Sequence, residues 1–99
     1  MSSPLLWHIG TVVDGAVTVG AVSTIALVAN GQRTNAVFVN DSAQVIYLAR
    51  GNPAVIGDGI RLNPAGGSYE IDDTNLFRGQ INAICALGGA NLCVSEGVN

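Results

Sequence analysis

The sequence predicts an all-β fold, a small β-sandwich or barrel of jelly-roll-like character behind an N-terminal arm. Three observations carry that expectation. From residue 33 to residue 96 the chain is a series of short, alternating runs rich in β-branched and aromatic residues. Each run closes on Asn, Asp, Gly or Pro. Residues 21–29, whose Ala and Leu content could suggest a helix, include the β-branched Val22, Thr24, Ile25 and Val28 and lack a capping box. About seven or eight strands at this spacing indicate a sandwich or small barrel.

Residues 1–10 read as an arm, with Trp7 and His8 as its bulky groups, and residues 11–99 as one β domain. Residues 11–29 read as strands joined by tight turns, with Asp14-Gly15 as a type I′ hairpin signal. The next unit is a hairpin in which Asn40, Asp41 and Ser42 turn the chain between two apolar runs. Its alternation sets Val37 and Val39 on one face and Ala36 and Phe38 on the other, so both faces should be covered. Residues 50–59 form a surface loop, since Pro53 cannot donate to a central ladder and three glycines ease positive φ. Residues 54–56 should anchor that loop. Strands follow at 60–62 and 68–71, separated by an Asn63-Pro64 turn that ends in Gly66-Gly67. Residues 72–75 break the pattern again, 76–79 bridge, and residues 80–86 with 92–96 make a last hairpin around Gly88-Gly89. The expected core is Phe38, Val45, Tyr47, Ile60, Leu62, Ile71 and Ile84. No internal repeat is evident.

Composition points to a binding role. A domain of 99 residues buries a smaller fraction of its surface than a larger one, yet this one is 48% hydrophobic and 11% charged. Part of the surface should therefore be covered by copies of the chain or by a larger partner. There is no Lys, the four Arg are spread singly, and the net charge is -3. Such a surface has no electrostatic footprint for nucleic acid or for an anionic membrane. No apolar run reaches the ~18 residues that a membrane span needs, and the first eight residues lack the basic region of a signal peptide.

Candidate chemistry is sparse. Adjacent Asp72 and Asp73 would point to opposite faces of a strand, so they read as a turn or loop cap and not as a catalytic dyad. His8 is the only histidine and has no nearby nucleophile to activate. Gly57-Asp58-Gly59 and Gly66-Gly67-Ser68 do not lead from a strand into a helix, as phosphate-cradling loops do. No calcium-loop pattern joins Asp58, Asp72 and Asp73, and two Cys with one distant His do not make a zinc site. The expectation is no catalytic residue, no metal and no cofactor. For Cys85 and Cys93, a two-residue loop at Gly88-Gly89 would set the thiols on opposite faces, whereas a three-residue loop would set them face to face. Both lie in apolar runs, which favours free thiols.

The strings Ala36-Val37-Phe38-Val39-Asn40-Asp41-Ser42, Val45-Ile46-Tyr47-Leu48-Ala49-Arg50-Gly51 and Gly59-Ile60-Arg61-Leu62-Asn63-Pro64 carry a resemblance. With Gly66-Gly67-Ser68-Tyr69-Glu70-Ile71, Leu76-Phe77-Arg78-Gly79 and Ile81-Asn82-Ala83-Ile84, they resemble a recurrent small all-β protein encoded among the structural genes of tailed bacteriophages. The resemblance spans residues 33–96 and specifies fold better than role. It implies a virion component made in the host cytoplasm: a capsid decoration or cement protein that binds the major capsid protein on the outer shell. Matching the sites where three shell subunits meet would suit a homotrimer. A tail, neck or receptor-binding module of the same kind of particle is the alternative. The expected partner-binding residues are Trp7 and His8 in the arm, Pro53, Val55 and Ile56 in the first long loop, and Gly66 in the second.

Overall fold

Side chains at alternate positions of eight strands face one shared interior, and the computed structural model describes residues 10–99 of this arrangement. The strands are β1 (Thr11–Val19), β2 (Thr24–Leu27), β3 (Arg33–Asn40), β4 (Ile46–Arg50), β5 (Ile60–Leu62), β6 (Ser68–Ile71), β7 (Ile81–Cys85) and β8 (Ala90–Val98). They pair into two antiparallel sheets of four, a front sheet ordered β1-β8-β3-β6 and a back sheet ordered β2-β7-β4-β5. Among consecutive strands only β4 and β5 are hydrogen-bonded neighbours; every other connection crosses between the sheets. Eight strands wound this way make a jelly roll. All-β architecture and the two-layer sandwich are as the sequence predicts.

The front sheet turns Val19, Ala36, Phe38, Ile71, Leu92 and Val94 inward, and the back sheet meets them with Ala26, Ile46, Leu48, Leu62, Ile81, Ala83 and Cys85. Each large aliphatic or aromatic side chain buried here contributes about 1.5–3 kcal/mol before entropy is counted. The longest ladder joins the two ends of the domain, β1 to β8, from Thr11↔Val98 to Val19↔Ala90.

Several local expectations are corrected. The runs around Asn40–Ser42 do become strands, but β3 and β4 lie in different sheets, and so do β7 and β8 around Gly88-Gly89. Their turns reverse the chain across the sandwich instead of closing hairpins. Asn40 shows how: its buried side chain donates to the carbonyls of Gln44 (2.6 Å) and Leu62 (3.0 Å) and accepts from the Ser42 hydroxyl (2.7 Å). Asp14-Gly15 is no turn either, because both residues lie inside β1, opposite Ser95 and Val94. Nine consecutive pairings with β8 outweigh one local turn preference. In β4 the core residues are Ile46 and Leu48; Tyr47 faces the opposite way and Val45, half-buried, precedes the strand. The apolar run 45–49 is continuous, so only tertiary register decides which parity is inside. Ile84 is buried on the outer side of the back sheet, opposite Tyr47, and Ile60 packs at the core's margin.

Candidate functional site

The loop from Gly51 to Gly59 holds three of the expected partner-binding residues, and hydrogen bonds tie it down. The Gly51 N–H donates to the Gln80 carbonyl (2.8 Å), the Ala54 N–H to the Ser23 hydroxyl (2.8 Å), and the Asn82 amide to the Asn52 carbonyl (2.7 Å). Gly59 has φ +82°, and a Cβ there would sit 2.3 Å from the Leu48 carbonyl oxygen, so the loop's return leg requires glycine. Of the expected anchor 54–56 only Ala54 is buried; Val55 and Ile56 are held about half-exposed. A cup of about 480 Å³ opens beside them, lined by Arg50, Asn52, Pro53, Val55 and Asp58 among others. One cation, one carboxylate and amide groups can grip a ligand, but no nucleophile stands beside a base here.

Gly66 belongs to a different place. It sits in the β5–β6 turn at φ +117°, with its N–H donating to the Asn40 carbonyl (2.8 Å). That turn lies beside the start of β4, whereas the Gly51–Gly59 loop leaves its end, so the structure does not bring Gly66 to Pro53, Val55 and Ile56. Trp7 and His8, with the rest of residues 1–9 of the expected arm, lie outside the described residues; Gly10, the arm's last residue, donates its N–H to the Val98 carbonyl (2.6 Å). Asp72 caps a turn as expected: its carboxylate accepts from the Thr74 hydroxyl (2.6 Å) and the Thr74 N–H (2.8 Å). Those bonds, the hydroxyl's first, hold its pKa below the ordinary aspartate value. Cys85 and Cys93 are free, Cys85 inside the back sheet and Cys93 on the outer face of the front sheet.

Sequence reasoning missed two features. Arg33 is fully buried, and its guanidinium donates to Glu96 (2.7 Å) and to the carbonyls of Val28 (2.6 Å), Phe77 (2.8 Å) and Gly79 (2.9 Å). With those bonds made it is a clasp between β3, β8 and two connecting segments, not a receptor for an outside anion. Nothing in its local sequence sets Arg33 apart from the three other single arginines.

The second missed feature is the side of the sandwich formed by β1 and β2, the edge strands of the two sheets. Of nine exposed large hydrophobic residues among the described residues, five (Val12, Val13, Val22, Ile25 and Val28) lie on these strands or beside them. Asp14 is the only charged residue from 10 to 32, a gap that the sequence does display. An open cleft of about 180 Å³ lies between Val13 and Val17 on β1 and Ala26 and Leu27 on β2. Around the corner, the outer face of the front sheet carries a row Ala16, Cys93, Val39, Ser68 and a second row Asp14, Ser95, Val37, Glu70. Val37 and Val39 are only half-buried there, so the covering expected for both faces comes from this chain on the inner face alone.

Among the described residues no three His, Cys, Asp or Glu side chains converge as metal ligands would. Comparison with protein-family models, curated proteins and solved structures finds no match for this chain.

Proposed function

We propose that this chain is a non-enzymatic structural protein that coats a larger protein particle, in the manner of a phage capsid decoration or cement protein. The observation that carries the reading is the apolar β1–β2 side, whose single charge is Asp14 and which continues onto the half-covered face of the front sheet. Burying such surface against shell subunits releases roughly 25 cal/mol per Å² before the costs of association. Repetition over a shell multiplies the effect. In this reading the partners are the major capsid protein and further copies of the chain, and the protein works by bridging neighbouring subunits.

The tail, neck or receptor-binding reading draws on a different feature, the tethered Gly51–Gly59 loop that holds Val55 and Ile56 out to solvent. Quantitative mass spectrometry of purified particles separates the two. Copy numbers comparable to those of the shell subunit support decoration, and a few copies per particle support a tail or neck position. Absence from particles overturns both.

A further inference from the structure

We infer that a second copy of this chain docks on the β1 edge, strand against strand, so that the two front sheets join across a two-fold axis. The inference deepens the assembly reading above and rests on it only for the claim that copies meet.

The edges of the two sheets are unequal. β5 and β6, at one side, are three and four residues long and carry Arg61 and Glu70. β1, at the other, is nine residues long, with no Pro, no bulge against β8 and Asp14 as its single charge. Among the described residues no strand pairs with its outer side. Natural edge strands are kept short, charged, bulged or covered, because a long, flat, apolar edge recruits another strand. β1 has the properties of an edge that is covered.

A copy of the same strand fits it by length, charge and register. A two-fold axis normal to the sheet keeps outer faces on one side, so residues of equal parity meet. Centring the pair on Gly15, the midpoint of Thr11–Val19, uses all nine residues. Val13 then meets Val17, Val12 meets Thr18, and Asp14 meets Ala16 and not another Asp14. Because Gly15 carries no side chain, the two strands approach beside the open clefts, where Val13 and Val17 of each copy lie. Asp14, the single charge of this edge, is exposed on the outer face and accepts from the Ser95 hydroxyl, so the pairing buries no unpartnered charge. An edge about 30 Å long and roughly 15 Å deep buries on the order of 1,000 Å² in the pair, which reaches the lower bound of a specific interface. The self-associated unit is then two-fold, in place of the trimer that matching to capsid three-fold sites suggests.

The test uses the full chain in a Cys93→Ser background. Opposed Cα atoms in an antiparallel pair are about 4.5–5.5 Å apart, within disulfide range. A Cβ at position 15 meets nothing within 4 Å, so Gly15→Cys should fold. Under mild oxidation G15C is expected to form a covalent dimer, whereas I56C, on the exposed loop, should not. Sedimentation of the wild type should show a dimer in the micromolar range, and Val13→Lys should raise its dissociation constant at least tenfold, about 1.4 kcal/mol, with unchanged circular dichroism. A wild-type trimer overturns the pairing, as does a wild-type monomer, including one whose β1 amides are protected by the chain's own residues 1–9. Cross-linking of G15C no faster than I56C also overturns it. A G15C dimer with the chain absent from particles would overturn the particle reading alone.

Discussion

The β1–β2 side and the β5–β6 side of the sandwich are built from the same kind of strand and solve the edge problem in opposite ways. On the β5–β6 side the strands stop after three and four residues, and the turn between them packs back on the β3–β4 corner through Gly66 and Asn40. A Cβ on Gly67 would lie 2.3 Å from the Asn63 nitrogen, so the turn closes too tightly for any other residue. The β1–β2 side has a nine-residue strand, five exposed aliphatic side chains and an open cleft. A domain this small could have closed both sides with charges and short strands; one side is left apolar. The proposed docking of copies on the open side rests on this difference, because an uncovered edge of that length favours aggregation.

The largest expected effect tests what ties the front sheet to the segments that flank β2 and β7 of the back sheet. Arg33 joins Val28, just past β2, to Glu96 on β8 and to the 77–79 segment. Arg33→Ala leaves a largely buried carboxylate and three carbonyls without their donor and should cost about 3–5 kcal/mol, read as a fall in the urea midpoint. Arg33→Lys should recover only part of it, since an ammonium cannot reproduce the planar fork. A loss below about 1 kcal/mol would show that the two sheets hold together without the clasp.

Glycine substitutions sharpen the contrast between a tethered loop and an open edge. Gly59→Ala must push the chain off the Leu48 carbonyl at a positive φ and should destabilise by about 1–3 kcal/mol. Gly15→Ala finds open space and φ outside the left-handed region, and should stabilise the isolated subunit by about 0.4–1 kcal/mol through the unfolded chain. Equal effects at the two positions, measured by thermal or urea unfolding, would erase the distinction.

The smallest effect concerns Asp72, at the end of β6 on the closed side. Its folded pKa is depressed by the Thr74 bonds, so the ionised form contributes stability that is present above about pH 4 and lost as pH falls through the folded value. The stability gap between wild type and Asp72→Ala should therefore shrink below that pH. A gap that stays constant from neutral to strongly acidic conditions would remove the carboxylate from the turn's account.

Much of the fold was legible in the sequence, and the illegible part has one cause. Strand runs at 36–40, 46–50, 60–62, 68–71 and 81–85 show themselves because β-branched residues and turn residues alternate at short range, and the Asp72 turn shows itself by its own side-chain chemistry. Pairing does not, because a turn such as Asn40-Asp41-Ser42 reverses the chain equally well beside a strand or across a sandwich. The Asp14-Gly15 pair has good local turn chemistry and still runs straight through β1. In the candidate sites, the sequence picked out Pro53, Val55 and Ile56 because Pro and Gly mark loops; it did not reveal that Gly66 lies at the other end of the strands.

An all-β chain with short strands, turn chemistry at fixed places and little charge for its apolar content can be read from the order of residues alone. Tertiary structure alone decided that β1 pairs with β8 across some eighty residues of chain, that Ile46 and Leu48 rather than Tyr47 face the core, and that Arg33 is buried. Each of those depends on contacts between residues far apart in the chain, and burial of two facing sheets outweighs the local preferences that can be read along it.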